Sequence, residues 1–292
     1  MTRLKYTLKT DTLFKLLFTK YPDLLRRLVA ELLSLQYEEI KEFNITNPEI
    51  LPETLGNKFC RLDINMIVNG QKVDLEVQVA DEGNYPERSL YYWAREFSSG
   101  LNKGADYSTL PRTIIISILG FNQFPDPKKF HSEYRCLETT TQKPLTDKMV
   151  LHYYELKKLP PLNSADNSRD LWLKLFKAET EEELAEIEKM GVPIMSEAIV
   201  AYRNIAASPE LLEVERMRSK ASHDEAQALK HAEQRGEKRG EMRGEKRGEQ
   251  RANEKWQGVV AEKDVALAER DAVIANKDAL IAELQAELGN NE

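Results

Sequence analysis

The stretch RLDINMIVNGQKVDLEVQ, residues 61–78, constrains this chain more than any other. Asn69-Gly70, set between two alternating apolar and polar runs, is the signature of a two-residue hairpin turn with positive φ at both central positions. Such a turn fixes the register of the strands on either side. Val68 then faces Gln71, Met66 faces Val73, Ile64 faces Leu75 and Leu62 faces Val77. One face is apolar from Leu62 to Val79 and must lie on a helical layer. The other face pairs Asn65 with Asp74, Asp63 with Glu76, and Arg61 with Gln78.

Asp63 and Glu76 therefore stand opposite each other with Cβ atoms roughly 5 Å apart, an arrangement in which like charges destabilise a ladder. Two carboxylates so placed share a proton, recruit a cation or bind a metal. Oxygen donors without histidine or thiolate suit a hard ion, Mg²⁺ or Mn²⁺. Gln78 points to the same face and can orient a water without adding charge. The hairpin taken alone leaves a second reading open, a solvated polar face on which Arg61 neutralises Asp63 or Glu76.

The surroundings supply an order of elements. TDTLFKLLFTKYPDLLRRLVAELLSL carries leucines at three- and four-residue spacing and reads as two helices meeting near Tyr21, with Pro22 in a first turn. IKEFNI reads as a short strand before the hairpin. YPERSLYYWAREFSSGLNKG is a helix opened by Pro86, with Tyr91 read as a core residue, and TIIISILGF is a buried strand. A further strand pair, FHSEYRCLETTT and DKMVLHYYELKKL, extends the sheet, and residues 169–215 read as packing helices.

Composition narrows the function classes. The 292 residues are 31% charged and 41% hydrophobic, enough apolar material for a sizeable core. No run approaches the ~20 apolar residues of a membrane span, and MTRLKYTLKTD has no apolar signal core, so a cytoplasmic location is expected. Cys60 and Cys136 read as reduced thiols, and the four histidines show no zinc-like spacing with them. A net charge of −7 denies the chain a broad basic footprint, so any action on nucleic acid must rest on local chemistry.

The ordered set of elements, with Asp63 in one strand and Glu76-Val77-Gln78 in the next, resembles the PD-(D/E)XK nuclease superfamily. More closely it resembles the recombination-promoting nuclease and putative transposase (Rpn) branch. Asp11-x-x-Phe14-Lys15-x-x-Phe18, Arg88-x-x-Tyr91 and Tyr107-x-x-Leu110-Pro111 before the buried strand carry that likeness across roughly residues 8–160. The resemblance implies a mixed α/β (α+β) sheet with a restriction-endonuclease-like αβββαβ core, here with an added strand pair. It implies metal-dependent hydrolysis of DNA phosphodiesters, with Mg²⁺ or Mn²⁺ held by Asp63, Glu76 and the Val77 carbonyl. Gln78 stands where the wider superfamily usually has lysine, so the charge that the lysine supplies would have to come from Lys15, Arg88 or Arg95. Asp11 and Lys15 are implied helpers from the first helix, and Arg88 and Arg95 are candidate nucleic-acid contacts; Asp11, Lys15 and Arg88 are each equally explained as helix-surface charges. The alternative is a catalytically degenerate member of the same fold, retained as a binding or regulatory module.

The expected organisation is a nuclease-like domain over 1–160, a helical extension over 161–215, a charged repeat over 216–255 and a coiled-coil helix over 256–292. RGEKRGEMRGEKRGEQR repeats every four residues, with like charges four apart and four glycines that each cost a helix roughly 1 kcal/mol. A partner helix, a solvated linker and a basic arm on DNA, with Arg and Lys exceeding Glu by seven to four, are the three readings of it. VAEKDVA, LAERDAV, IANKDAL and IAELQAE then form a heptad seam of small residues, alanines with Val265, flanked by Val260, Leu267, Ile274, Ile281 and Leu288. That period predicts a closely spaced coiled coil and homo-oligomerisation through the tail, with a helix folded back on the domain as its rival.

Overall fold

The computed structural model describes residues 2–46, 63–101 and 103–289; of Asp63 and residues 284–289 only the backbone is described. Cys60, Arg61 and Leu62, and with them the last two rungs expected of the hairpin, lie outside the described residues. The chain forms two units, residues 1–219 and 220–292.

The first unit opens with α1 (Asp11–Lys20) and α2 (Pro22–Leu32). The break at Tyr21 follows from Pro22, whose fixed φ suits a first turn but not a helix interior. The strands β1 (Phe43–Ile45), β2 (Asp63–Val68) and β3 (Gln71–Gln78) follow, then α3 (Tyr85–Ser98) and β4 (Thr113–Leu119). Next come β5 (His131–Arg135), β6 (Met149–Glu155), α4 (Ser168–Lys177), α5 (Glu181–Glu188) and α6 (Pro193–Ala206). The final helix, α7 (Pro209–Gly289), begins in this unit.

The six strands form one sheet in the order β1-β2-β3-β4-β6-β5. β1, β2 and β3 are antiparallel neighbours, β3, β4 and β6 are parallel, and β5 returns antiparallel along the outer edge of β6. The hairpin turn has φ of 48° at Asn69 and 73° at Gly70, the pair of positive values its sequence demands. Asn69 also ties the turn to the chain entering β1: its Oδ1 accepts from the Lys41 and Glu42 amides at 2.8 and 3.1 Å.

The sheet is covered on both faces. Ile64, Met66, Val68, Val73, Leu75 and Val77 join Phe14, Phe18, Trp172 and Phe176 in the main core beneath the helical layer. Burying each such side chain contributes about 1.5–3 kcal/mol. The apolar face ends at Val77, for Val79 lies beyond the strand and is 53% exposed. On the opposite face a smaller cluster gathers Tyr85 of α3 with Ile115, Leu119, Leu151 and Tyr153. All seven residues of β4 are buried, which is why its sequence reads as unbroken apolar rather than alternating.

α3 buries a narrow stripe, Tyr85, Ser89 and the partly buried Trp93, spaced four apart. Tyr91, read from sequence as a core residue, falls off this stripe and is 60% exposed. The helices α4–α6 share the main core with α1 and α2. Leu211 at the start of α7 is fully buried, and Arg218 Nη1 donates to Thr12 Oγ1 at 2.6 Å.

In the second unit α7 is the one element described, and from Ser222 to Glu283 every described side chain is exposed. The Arg-Gly-Glu repeat is helical despite its glycines. A helix already nucleated upstream propagates through weak formers without bearing a second nucleation cost. A Cβ added at Gly236, Gly240, Gly244 or Gly248 would meet nothing within 4 Å. Among the described residues no helix is long and apolar enough to cross a membrane.

Candidate active site

The register of two strand pairs builds the site. The antiparallel β2–β3 ladder sets Asp63 opposite Glu76 and Asn65 opposite Asp74; the parallel β3–β4 ladder sets Ser117 beside Glu76. The side chains of Asp74, Glu76 and Ser117 share the sheet face that α3 covers, so Glu76 is only 2% exposed and Asp74 only 4%. A cavity of about 190 Å³ lined by Asn65, Lys72, Asp74, Glu96 and Thr113 continues this polar face one rung along.

Two donors converge on Glu76 Oε2. Gln78 Nε2 reaches it at 3.1 Å from the same strand, and the Tyr85 hydroxyl approaches at 3.4 Å from α3. Tyr85 also donates to Ser117 Oγ at 2.9 Å. Burial pushes the Tyr85 phenol well above its ordinary pKa, and the negative charge of Glu76 pushes it further. The hydroxyl thus keeps its proton and serves as a donor throughout the physiological range.

Gln78 is in turn held by Arg88. Arg88 Nη2 donates to Gln78 Oε1 at 2.6 Å, while its Nη1 donates to Glu82 Oε2 at 2.7 Å. The guanidinium lies 5.0 Å from the centre of the Tyr85 ring, within the range of a cation–π contact. The fold therefore brings Glu76, Gln78 and Arg88 into one chain of hydrogen bonds. Arg95 does not join that chain; it is exposed in the last turn of α3.

Asp11 and Lys15 stand a turn apart on α1, 4.0 Å from each other, and Asp11 Oδ2 meets Arg218 Nη2 of α7 at 3.1 Å. The Val77 side chain is fully buried in the main core. Sequence reasoning missed Tyr85 and Ser117. Tyr85 gave no chemical signal, being one of several aromatics on its helix. Ser117 did give one: a hydroxyl inside the apolar run TIIISIL must find a buried partner.

Among the described residues no group of three or more His, Cys, Asp and Glu side chains is placed to hold a metal ion; the Asp63 carboxylate is outside that set. The donor chemistry nonetheless fits a hard divalent cation, for a buried carboxylate stands opposite an aspartate position with amide and hydroxyl groups around it. Comparison with curated proteins and with solved structures gives no match. A family model described as PD-(D/E)XK nuclease family transposase matches residues 8–232, most of the chain and all of the site, and the protein belongs to that family.

Proposed function

We propose that this protein is a metal-dependent DNA endonuclease of the recombination-promoting nuclease type. The observation that carries the reading is Glu76: a carboxylate 2% exposed, opposite Asp63 on the ladder and held by Gln78. Burying a charge so thoroughly is costly unless partners or a cation compensate it. Asp63, Glu76 and the Val77 carbonyl would hold Mg²⁺ or Mn²⁺. When bound there, such an ion lowers the pKa of a water and stabilises charge developing on the phosphate.

The chain's own groups supply the rest. Tyr85 and Gln78 fix the rotamer of Glu76 by donating to one of its oxygens. The Gln78 amide orients a water, and Arg95, exposed on α3, is a phosphate contact for DNA. Asp11 and Lys15 assist from α1. In the second unit, Val260, Leu267, Ile274 and Ile281 are each about half exposed along the heptad, which supports self-association of the tail as a coiled coil.

The test is plasmid nicking by the wild type beside Asp63→Ala, with Mg²⁺ and with EDTA. Nicking that needs the metal and vanishes in Asp63→Ala is the expected result. Cleavage persisting in the variant overturns the site. A second reading, a degenerate nuclease fold acting as a binding module, draws on the net charge of −7 and on the engagement of Arg88 with Glu82. Metal binding without cleavage would favour it.

A further inference from the structure

We propose that Arg88 is a positioning residue for the reaction: it sets the orientation of the Gln78 amide and lends the site the positive charge that Gln78 lacks. The inference rests on the nuclease reading above and adds to it a role for one side chain.

The argument is one of donor and acceptor polarity. A guanidinium can only donate, an ionised carboxylate can only accept, and an amide does one at each end. Gln78 lies between an Arg and a Glu, so a single orientation satisfies all three: Oε1 toward Arg88 at 2.6 Å and Nε2 toward Glu76 at 3.1 Å. Remove Arg88 and nothing on that side distinguishes the two ends of the amide. Flipped, Oε1 would face a carboxylate oxygen and repel it. The charge-assisted 2.6 Å contact is the strong member of the relay, and Glu82 at 2.7 Å fixes the other arm of the fork. The Arg88 guanidinium lies over the ring of Tyr85, the same tyrosine that touches Glu76. Lys15 and Arg95 compete for the role of compensating cation. Arg95 is exposed beyond the relay, and Lys15 lies on α1 beside Asp11.

This role separates cleanly from a plain phosphate contact. A phosphate contact weakens DNA binding, raises KM and lowers the salt slope by about one unit. A positioning role lowers kcat by roughly 10- to 100-fold, the usual cost of losing an outer partner of a metal site, with KM and salt slope little changed.

The experiment compares wild type, Arg88→Met, Gln78→Lys and the double variant by steady-state nicking with Mg²⁺, and follows the Gln78 side-chain amide by ¹⁵N NMR, assigned by its loss in Gln78→Ala. Expected are a kcat loss in Arg88→Met and its recovery in the double variant, where the charge now resides at position 78. Gln78→Lys alone should be slower than the double, since the ammonium faces Arg88. The Gln78 amide should exchange slowly with solvent in the wild type and quickly in Arg88→Met. Equal activity of Arg88→Met and the double variant overturns the proposal, as does a change in KM alone. If the wild type fails to nick with Mg²⁺ and with Mn²⁺ alike, the nuclease reading falls, and the amide signal alone decides the orientation: collapse in Arg88→Met supports it and an unchanged signal overturns it.

Discussion

Replacing Tyr85 by Phe changes one atom in a site 1% exposed, and the structure says what that atom is worth. The ring keeps its edge-on contacts with Phe121 and Tyr153, at 6.3 and 6.2 Å between centroids, so the apolar packing is unchanged. What disappears is a proton shared between Ser117 Oγ at 2.9 Å and Glu76 Oε2 at 3.4 Å. One proton cannot serve both well, and the shorter contact takes most of it. A net hydrogen bond contributes about 1 kcal/mol, and leaving the fully buried Ser117 hydroxyl without this donor costs about 1–3 more. Tyr85→Phe should therefore destabilise the protein by about 2–4 kcal/mol. Ser117→Ala should cost only about 1 kcal/mol, since the phenol keeps Glu76 Oε2 as an acceptor. In the double variant no Ser117 hydroxyl is left stranded, so the cycle should show coupling of about 1–3 kcal/mol. Urea denaturation in EDTA measures all four proteins, and nicking with Mg²⁺ reports whether Glu76 has lost its setting. An additive cycle would refute the pairing, and full activity in Tyr85→Phe would reduce Tyr85 to a core residue.

Other outcomes follow from parts of the fold away from the site. Burial, and then the charge of His131, lower the pKa of His152 from 6.5 to about 4, among the facing groups Glu133, Arg135 and Arg112. Its folded value lies below its unfolded one, so this contribution is complete above about pH 6.5 and drains away as pH falls toward 4. About 2 kcal/mol should be lost between pH 7 and pH 5, and His152→Phe should flatten that part of the urea-derived stability curve; parallel curves would sink the assignment. Truncation after Ser219 retains Arg218, which holds Asp11 and Thr12, and should lower the number of chains per particle by light scattering while the first unit stays folded. An unchanged oligomeric state removes self-association through the tail. Alanine at Gly236, Gly240, Gly244 and Gly248 meets open space and should raise helicity by circular dichroism without changing mass, each replacement favouring the helix by roughly 1 kcal/mol.

The hairpin was legible because a two-residue turn leaves no freedom. Once Asn69-Gly70 takes positive φ, the partner of every residue from Asp63 to Gln78 follows by counting, and the observed rungs agree from Asp63–Glu76 to Val68–Gln71. The tyrosine that holds Glu76 was not legible, since Tyr85 reaches it only because β3 and β4 are parallel neighbours with α3 laid across them. Likewise Arg88 and Gln78 are ten residues apart with a helix start between them, a separation no periodicity links. Tyr91 failed for a different reason: the sequence shows aromatics on α3 without showing how narrow its buried stripe is. The partner of Asp11, Arg218, stands on a helix near the other end of the chain, where only the folded molecule can show it.

β4 has a consequence during synthesis. TIIISIL pairs with β3 on one side, already made when it leaves the ribosome, and with β6 on the other, which ends 36 residues later at Glu155. At the usual 5–20 residues per second that interval is roughly 2–7 s. Throughout it, an uncharged, β-branched strand presents an open edge to any other nascent chain, the kind of segment that seeds aggregates. Pro111 and Arg112, immediately upstream, are the only local brake, a proline and a charge of the sort that guards unavoidable apolar strands. The yield of soluble protein should therefore respond to translation speed and chaperone supply more than to the strength of the finished sheet.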